Sequence, residues 1–208
     1  MNILFIGNSH TFTNALPFQI QALAGSKEVN VAMLAASGVS LGWHAEQLET
    51  QMNILYGIWD YIILQQATHP FSGQDVLRHE VNALMALIRK TSAKPVLFMT
   101  WAAKREPEKQ TELTEAFTNV ANEGKALLVP VGLAWQSLIK SSPETNLFDN
   151  DGEHANALGS YLSACVFLKV LFNKNPIGLP FEIVKSGETL VNLTSAEAKL
   201  IQGVAATF

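Results

Sequence analysis

The chain has 208 residues, 48% of them hydrophobic and 15% charged, with a formal net charge of −4. That length and apolar content suit one folded domain with a sizeable core and exclude a disordered chain. The acidic balance argues against nucleic acid or an anionic membrane as partner, and a lone cysteine, Cys165, excludes an intrachain disulfide framework.

In chain order, Ile3–Ile6 is an apolar run that reads as a strand, followed by Gly7-Asn8-Ser9 and a Thr/Asn turn. Leu16–Leu23 opens a helix, Val29–Leu34 is a second strand and Trp43–Leu55 is amphipathic. Trp59–Leu64 is a third strand, and Val76–Ile88 carries apolar residues at helical spacing. Pro95–Met99 is a fourth strand, Leu113–Val120 lies in the next helix and Leu127–Val131 is a fifth strand. Beyond it the chain reads as helical or irregular. Ala157–Phe172 is a buried final helix with Cys165 as a small core residue, and Asn173–Glu188 is a loop with room for a short extended piece. Thr194-Ser195-Ala196-Glu197 matches a capping box and starts a C-terminal helix, which weighs against glycosylation of Asn192.

Strands without polar alternation are buried on both faces, as in parallel sheets. Alternating strand and helix units point to a three-layer α/β/α sandwich around a five-stranded parallel sheet, with residues 1–208 as a single domain. All strand ends then meet at one edge, which collects Ser9, Gly38, Gln65 and Thr100. No segment is long enough to span a bilayer, and no basic, apolar leader precedes the first strand. The chain as numbered therefore reads as cytoplasmic, although a leader removed before residue 1 would leave no trace.

Ser9 has two readings: a cap for the following helix, or a nucleophile that needs a neighbouring base. Asp151 and His154, three residues apart before a helix, supply a candidate base and the carboxylate that orients it. On spacing alone Glu153 or Asp149 serves equally well as that carboxylate. The five histidines, His10, His44, His69, His79 and His154, lack metal-ligand spacing, and His79-Glu80 fails the zincin pattern because position 83 is Ala83. Nucleotide-binding glycine loops are missing too.

These blocks together resemble the SGNH/GDSL hydrolases, in the branch that carries Gly-Asn-Ser in its first block. Gly7-Asn8-Ser9 matches the nucleophile block, and Ala36-Ser37-Gly38-Val39-Ser40-Leu41 resembles the glycine block. Asp151-Gly152-Glu153-His154 matches the Asp-x-x-His block. Trp59–Gln66 and Ala157–Leu162 also resemble this branch. The resemblance implies a flavodoxin-like fold and a carboxylic ester hydrolase without cofactor or metal. Its substrate would be a small-molecule ester with a short acyl group, such as an O-acetylated carbohydrate.

Ser9 would then be the nucleophile, His154 the base and Asp151 its orienting partner. The oxyanion hole would use the N–H groups of Ser9 and Gly38 and one side-chain amide. The family takes that amide from a Gly-x-Asn block that this chain lacks, so Gln65 is preferred for it, with Gln66 as the alternative. Asn8, His10, Gln66 and Trp101 are candidate substrate contacts, and His69-Pro70-Phe71 extend the same loop. Two other readings share the scaffold: an inactive relative that binds a glycan or another partner, and an acyltransferase or thioesterase. The oligomeric state is open.

Overall fold

Each apolar run becomes a strand of one sheet. β1 (Asn2–Gly7), β2 (Asn30–Ala35), β3 (Tyr61–Leu64), β4 (Lys94–Phe98) and β5 (Leu127–Val129) pair in the order β2-β1-β3-β4-β5, and every pairing is parallel. This computed structural model describes residues 1–25 and 29–208. Alternate residues of the central strands enter two separate cores, which is why they carry no polar face.

Ile3, Phe5, Ile63, Val96 and Phe98 pack under α2 (Leu16–Ala24), α7 (Val131–Ser141), α8 (Ala157–Phe172) and α9 (Ser195–Ala205). Leu4, Ile6, Ile62, Leu64 and Leu97 pack under α3 (Leu41–Glu46), α4 (Leu48–Tyr56), α5 (Gln74–Ile88) and α6 (Lys109–Gly124). The expected three-layer sandwich is thus the observed one. Helix α8 is buried almost all round, as its uninterrupted apolar sequence requires, and Cys165 lies inside it.

Three expectations change. The Trp43–Leu55 pattern is two helices, because Gln47 adopts extended backbone between α3 and α4. Val131 leaves the fifth strand and begins α7, since Pro130 has no N–H to continue a ladder. The loop after α8 contains more than a short extended piece: β6 (Glu182–Lys185) and β7 (Glu188–Asn192) form an antiparallel hairpin. Its turn, Ser186-Gly187, has positive φ at both residues, as a primed two-residue hairpin turn demands. The capping box at Thr194 and Glu197 is present.

The chain leaves β1 for one side of the sheet and returns from β2 to the other. A crevice therefore opens beyond the carboxyl ends of β1 and β3, where doubly wound sheets bind ligands. Ser9 begins α1 (Ser9–Phe12) directly above β1. Among the described residues no helix is long and apolar enough to cross a membrane.

Candidate active site

The serine sits on a turn anchored from below. A Cβ on Gly7 would lie 2.4 Å from the Thr11 hydroxyl and 2.5 Å from Gln65 Oε1, so only glycine fits at the end of β1. The Gly7 carbonyl accepts from His44 Nε2 at 2.8 Å. Gln65 Oε1 accepts from the Asn8 N–H at 2.8 Å and from the Thr11 hydroxyl at 2.9 Å. Asn8 caps α1 by accepting from the His10 N–H, and its amide donates to the Val39 carbonyl at 3.1 Å. One side chain thereby fixes both the serine turn and the loop that carries Gly38. His44, Gln65 and Asn8 are all buried, so every one of these bonds except that to the half-buried Val39 carbonyl is made where water cannot replace it.

The second half of the site is the loop between α7 and α8. Asp151 Oδ1 accepts from the backbone N–H groups of Glu153 and His154 at 2.8 and 2.9 Å, folding the loop around its own carboxylate. Trp101 donates its indole N–H to the Glu153 carbonyl, and the Lys104 N–H donates to the Gly152 carbonyl, each at 2.8 Å. Asn14, in the left-handed region after α1, donates to the Ala155 carbonyl at 2.8 Å and so ties the serine helix to the residue after His154.

These elements bring three reactive groups into a line. His154 Nε2 lies 2.7 Å from Ser9 Oγ, and His154 Nδ1 lies 2.5 Å from Asp151 Oδ2. The carboxylate only accepts, so Nδ1 carries the hydrogen and Nε2 offers its lone pair to the serine hydroxyl. The bond from His154, reinforced by the Glu153 N–H, holds the Asp151 carboxyl well below the usual carboxylate range. The alternatives for the carboxylate are engaged elsewhere: Glu153 pairs with Arg105 at 2.8 Å, and Asp149 Oδ1 accepts from the Asn150 N–H. Such a line can move a proton from the hydroxyl to the imidazole while the carboxylate steadies the resulting charge.

The Ser9 and Gly38 N–H groups make no hydrogen bond to another described group, and Gly38 is exposed with φ +71°. Its left-handed backbone is one that a larger side chain would strain. The expectation for Gln65 is corrected. Its amide nitrogen donates to the Gln66 carbonyl at 2.6 Å and its oxygen holds the serine turn, so the side chain lies beneath the site instead of facing it.

Gln66 is likewise committed. Its oxygen accepts from the Leu41 N–H, and its nitrogen donates to Glu80 at 2.6 Å. Glu80 in turn accepts from Ser40 and from the Gly42 N–H, which fixes the start of α3 beside the Gly38 loop. Asn8, His10, Gln66 and Trp101 are all buried, so the expected substrate contacts are replaced by contacts within the protein. Trp101 stacks on Trp135 at 3.7 Å. Sequence reading missed Thr11, Asn14, His44 and Glu80, whose partners lie on other elements and leave no local pattern.

His10 and His69 meet beside His154, with His10 Nε2 2.9 Å from His69 Nδ1. Burial lowers the imidazole pKa of both, that of His10 to about 3 with the neighbouring His69 and His154 assisting. A cavity of about 590 Å³ is walled by Trp101, Trp135, Ile139 and Phe148. It contains none of Ser9, Gly38, Asp151 and His154. Among the described residues no cluster of three His, Cys, Asp or Glu side chains is placed to hold a metal ion.

Neither family models nor curated protein sequences match this chain. Solved structures do match its fold. A DUF4886 family protein from Bacteroides uniformis superposes with a TM-score of 0.80 over 100% of this chain and 93% of its own, at 19% identity. A member of the lipolytic protein G-D-S-L family from Veillonella parvula gives 0.62 over 84% of this chain and 100% of its own, at 16% identity. The acetyl xylan esterase AlAXEase gives 0.66 over 81% and 98%, at 14% identity.

Proposed function

The chain has the fold of the SGNH/GDSL hydrolases, and from that footing we propose that it is a serine ester hydrolase acting through Ser9, His154 and Asp151. The observation that carries the reading is the unbroken line from Ser9 Oγ through His154 to Asp151, at 2.7 and 2.5 Å. Neither contact requires a side chain to move before a substrate arrives.

Ser9 Oγ attacks the ester carbonyl while His154 Nε2 takes its proton. The imidazolium is stabilised by ionised Asp151, and the oxyanion receives the free N–H groups of Ser9 and Gly38. His154 then protonates the departing alkoxide, leaving the acyl group on Ser9. Water attacks that acyl-enzyme with His154 again as base, and the acid is released. The substrate is a short-acyl ester, and the acetyl xylan esterase among the fold neighbours supports an O-acetylated carbohydrate as its class.

The test is an ester panel from acetyl to octanoyl, run on wild type and Ser9→Ala. Wild type is expected to turn over the short esters, and Ser9→Ala to lose at least about 10³-fold in kcat. Equal hydrolysis by both proteins contradicts the serine mechanism, and a wild type inert to the whole panel contradicts the ester-hydrolase reading.

A further inference from the structure

Beside the proposed triad lies a second histidine arrangement that the proton path does not use. The His10 ring stacks on the His154 ring at 4.8 Å with 26° between planes. Behind it, His10 Nε2 meets His69 Nδ1 at 2.9 Å, and His69 Nε2 meets the Trp101 carbonyl at 3.0 Å.

The hydrogens in this chain are fixed by what each partner can do. A carbonyl oxygen only accepts, so His69 Nε2 carries a hydrogen. A neutral His69 then has a bare Nδ1, which must accept, so His10 Nε2 is the donor. A neutral His10 is left with a bare Nδ1, and that buried nitrogen makes no hydrogen bond; the Glu153 carbonyl, near enough to His10 to favour its charged form, is already taken by the Trp101 indole N–H. The opposite register would point a bare His69 nitrogen at the Trp101 carbonyl and lose that bond.

We propose that His10 and His69 form an uncharged, tautomer-locked pair that holds the plane of the His154 ring, both acting as positioning residues for the general base. The inference rests on the ester-hydrolase reading for its kinetic consequence. Trp101 is the common frame: its carbonyl anchors His69, and its indole N–H holds the Glu153 carbonyl next to His154. The ring stack and the loop it serves are thus referred to one residue. Asp151, Glu153 and Arg105 are the other charged groups around the pair. A neutral ring also presents an electron-rich face to the imidazolium that forms on His154, whereas a second cation there would oppose it.

Two variants separate the ring face from a general structural role. His10→Ala removes the face and is expected to lower kcat by about tenfold or more, with KM within about twofold, because a small misplacement of a catalytic group is costly. His10→Phe restores a flat ring without any nitrogen and is expected to recover kcat to within about threefold of wild type. A His10→Ala kcat within twofold of wild type overturns the proposal, as does a His10→Phe enzyme no better than His10→Ala.

The second arm needs no substrate. Nitrogen-15 imidazole spectra of wild type at pH 8 are expected to show His10 and His69 as neutral Nε2–H tautomers, with His10 staying so down to pH 5. A hydrogen on Nδ1 of either ring at pH 8, or titration of His10 to the cation above pH 5, overturns the locked pair. A wild type inert to esters contradicts the ester-hydrolase reading instead and leaves this spectral result to decide the pair.

Discussion

The two halves of the site are built by opposite means. The serine turn is held by buried partners from distant elements: His44 on the Gly7 carbonyl, Gln65 on the Asn8 N–H, and Asn8 on the Val39 carbonyl. The His154 loop folds around its own carboxylate, which is 48% exposed and bonded to N–H groups two and three residues further on, and outside partners reach its backbone carbonyls and Glu153. A buried bond, once broken, leaves an unpaired polar group, whereas an exposed one is replaced by water. The serine side is therefore coupled to folding, while the base side can lose chemistry without losing structure. Asn14 and Trp101 join the two.

Substitutions on each half sharpen that contrast. Asp151→Asn is expected to cost about 10²–10⁴-fold in kcat, because an amide donor facing Nδ1 forces the hydrogen onto Nε2, which then faces Ser9. Its melting temperature should stay within a few degrees of wild type, since the side chain is half exposed; a collapse of the fold would break the comparison. Gln65→Ala should do the reverse. It leaves the buried Asn8 N–H unpaired and should lower unfolding free energy by about 1–3 kcal/mol in urea titrations. Unchanged stability with reduced kcat would instead return Gln65 to an oxyanion role.

Acid provides a third, smaller test. Burial pushes the His10 imidazole down to about 3 from 6.5. Between those values the unfolded chain binds a proton that the folded chain excludes, so stability rises with pH and is lost on acidification. The slope is about 1.4 kcal/mol per pH unit for one such group, or about 2 kcal/mol between pH 7 and pH 5. Buried His44 and His69 act in the same direction. His10→Phe should lose less stability than wild type over that interval; an identical loss would show that His10 is already charged or exposed.

The smallest effect belongs to Arg105→Ala. This removes an ion pair to Glu153 whose arginine is largely exposed, and it should change stability by less than about 1 kcal/mol. A larger loss would mean that the exposed ion pair, and not only the backbone contacts, holds the base loop.

The sequence exposed what is local and periodic. The apolar runs marked all five strands, the Ala157–Phe172 pattern marked α8, and the Asp-x-x-His spacing marked a loop that closes on itself. What escaped it depends on distant contacts. Nothing near His44 or Glu80 indicates a partner at Gly7 or Gln66, and the Gln65 amide, expected at the oxyanion hole, is turned inward by the fold. The break at Gln47 and the hairpin at Ser186-Gly187 were missed for different reasons. The first has no proline or glycine to mark it, while the second carried a turn signal inside a segment read as loop.

Activation of Ser9 by His154 is the central claim, and labelling with a serine-reactive phosphonate, read by mass spectrometry, tests it most directly. The expected result is a single adduct on Ser9, absent in Ser9→Ala and formed at least about 10²-fold more slowly in His154→Ala. Labelling of Ser9 at the same rate with and without the His154 imidazole would contradict it.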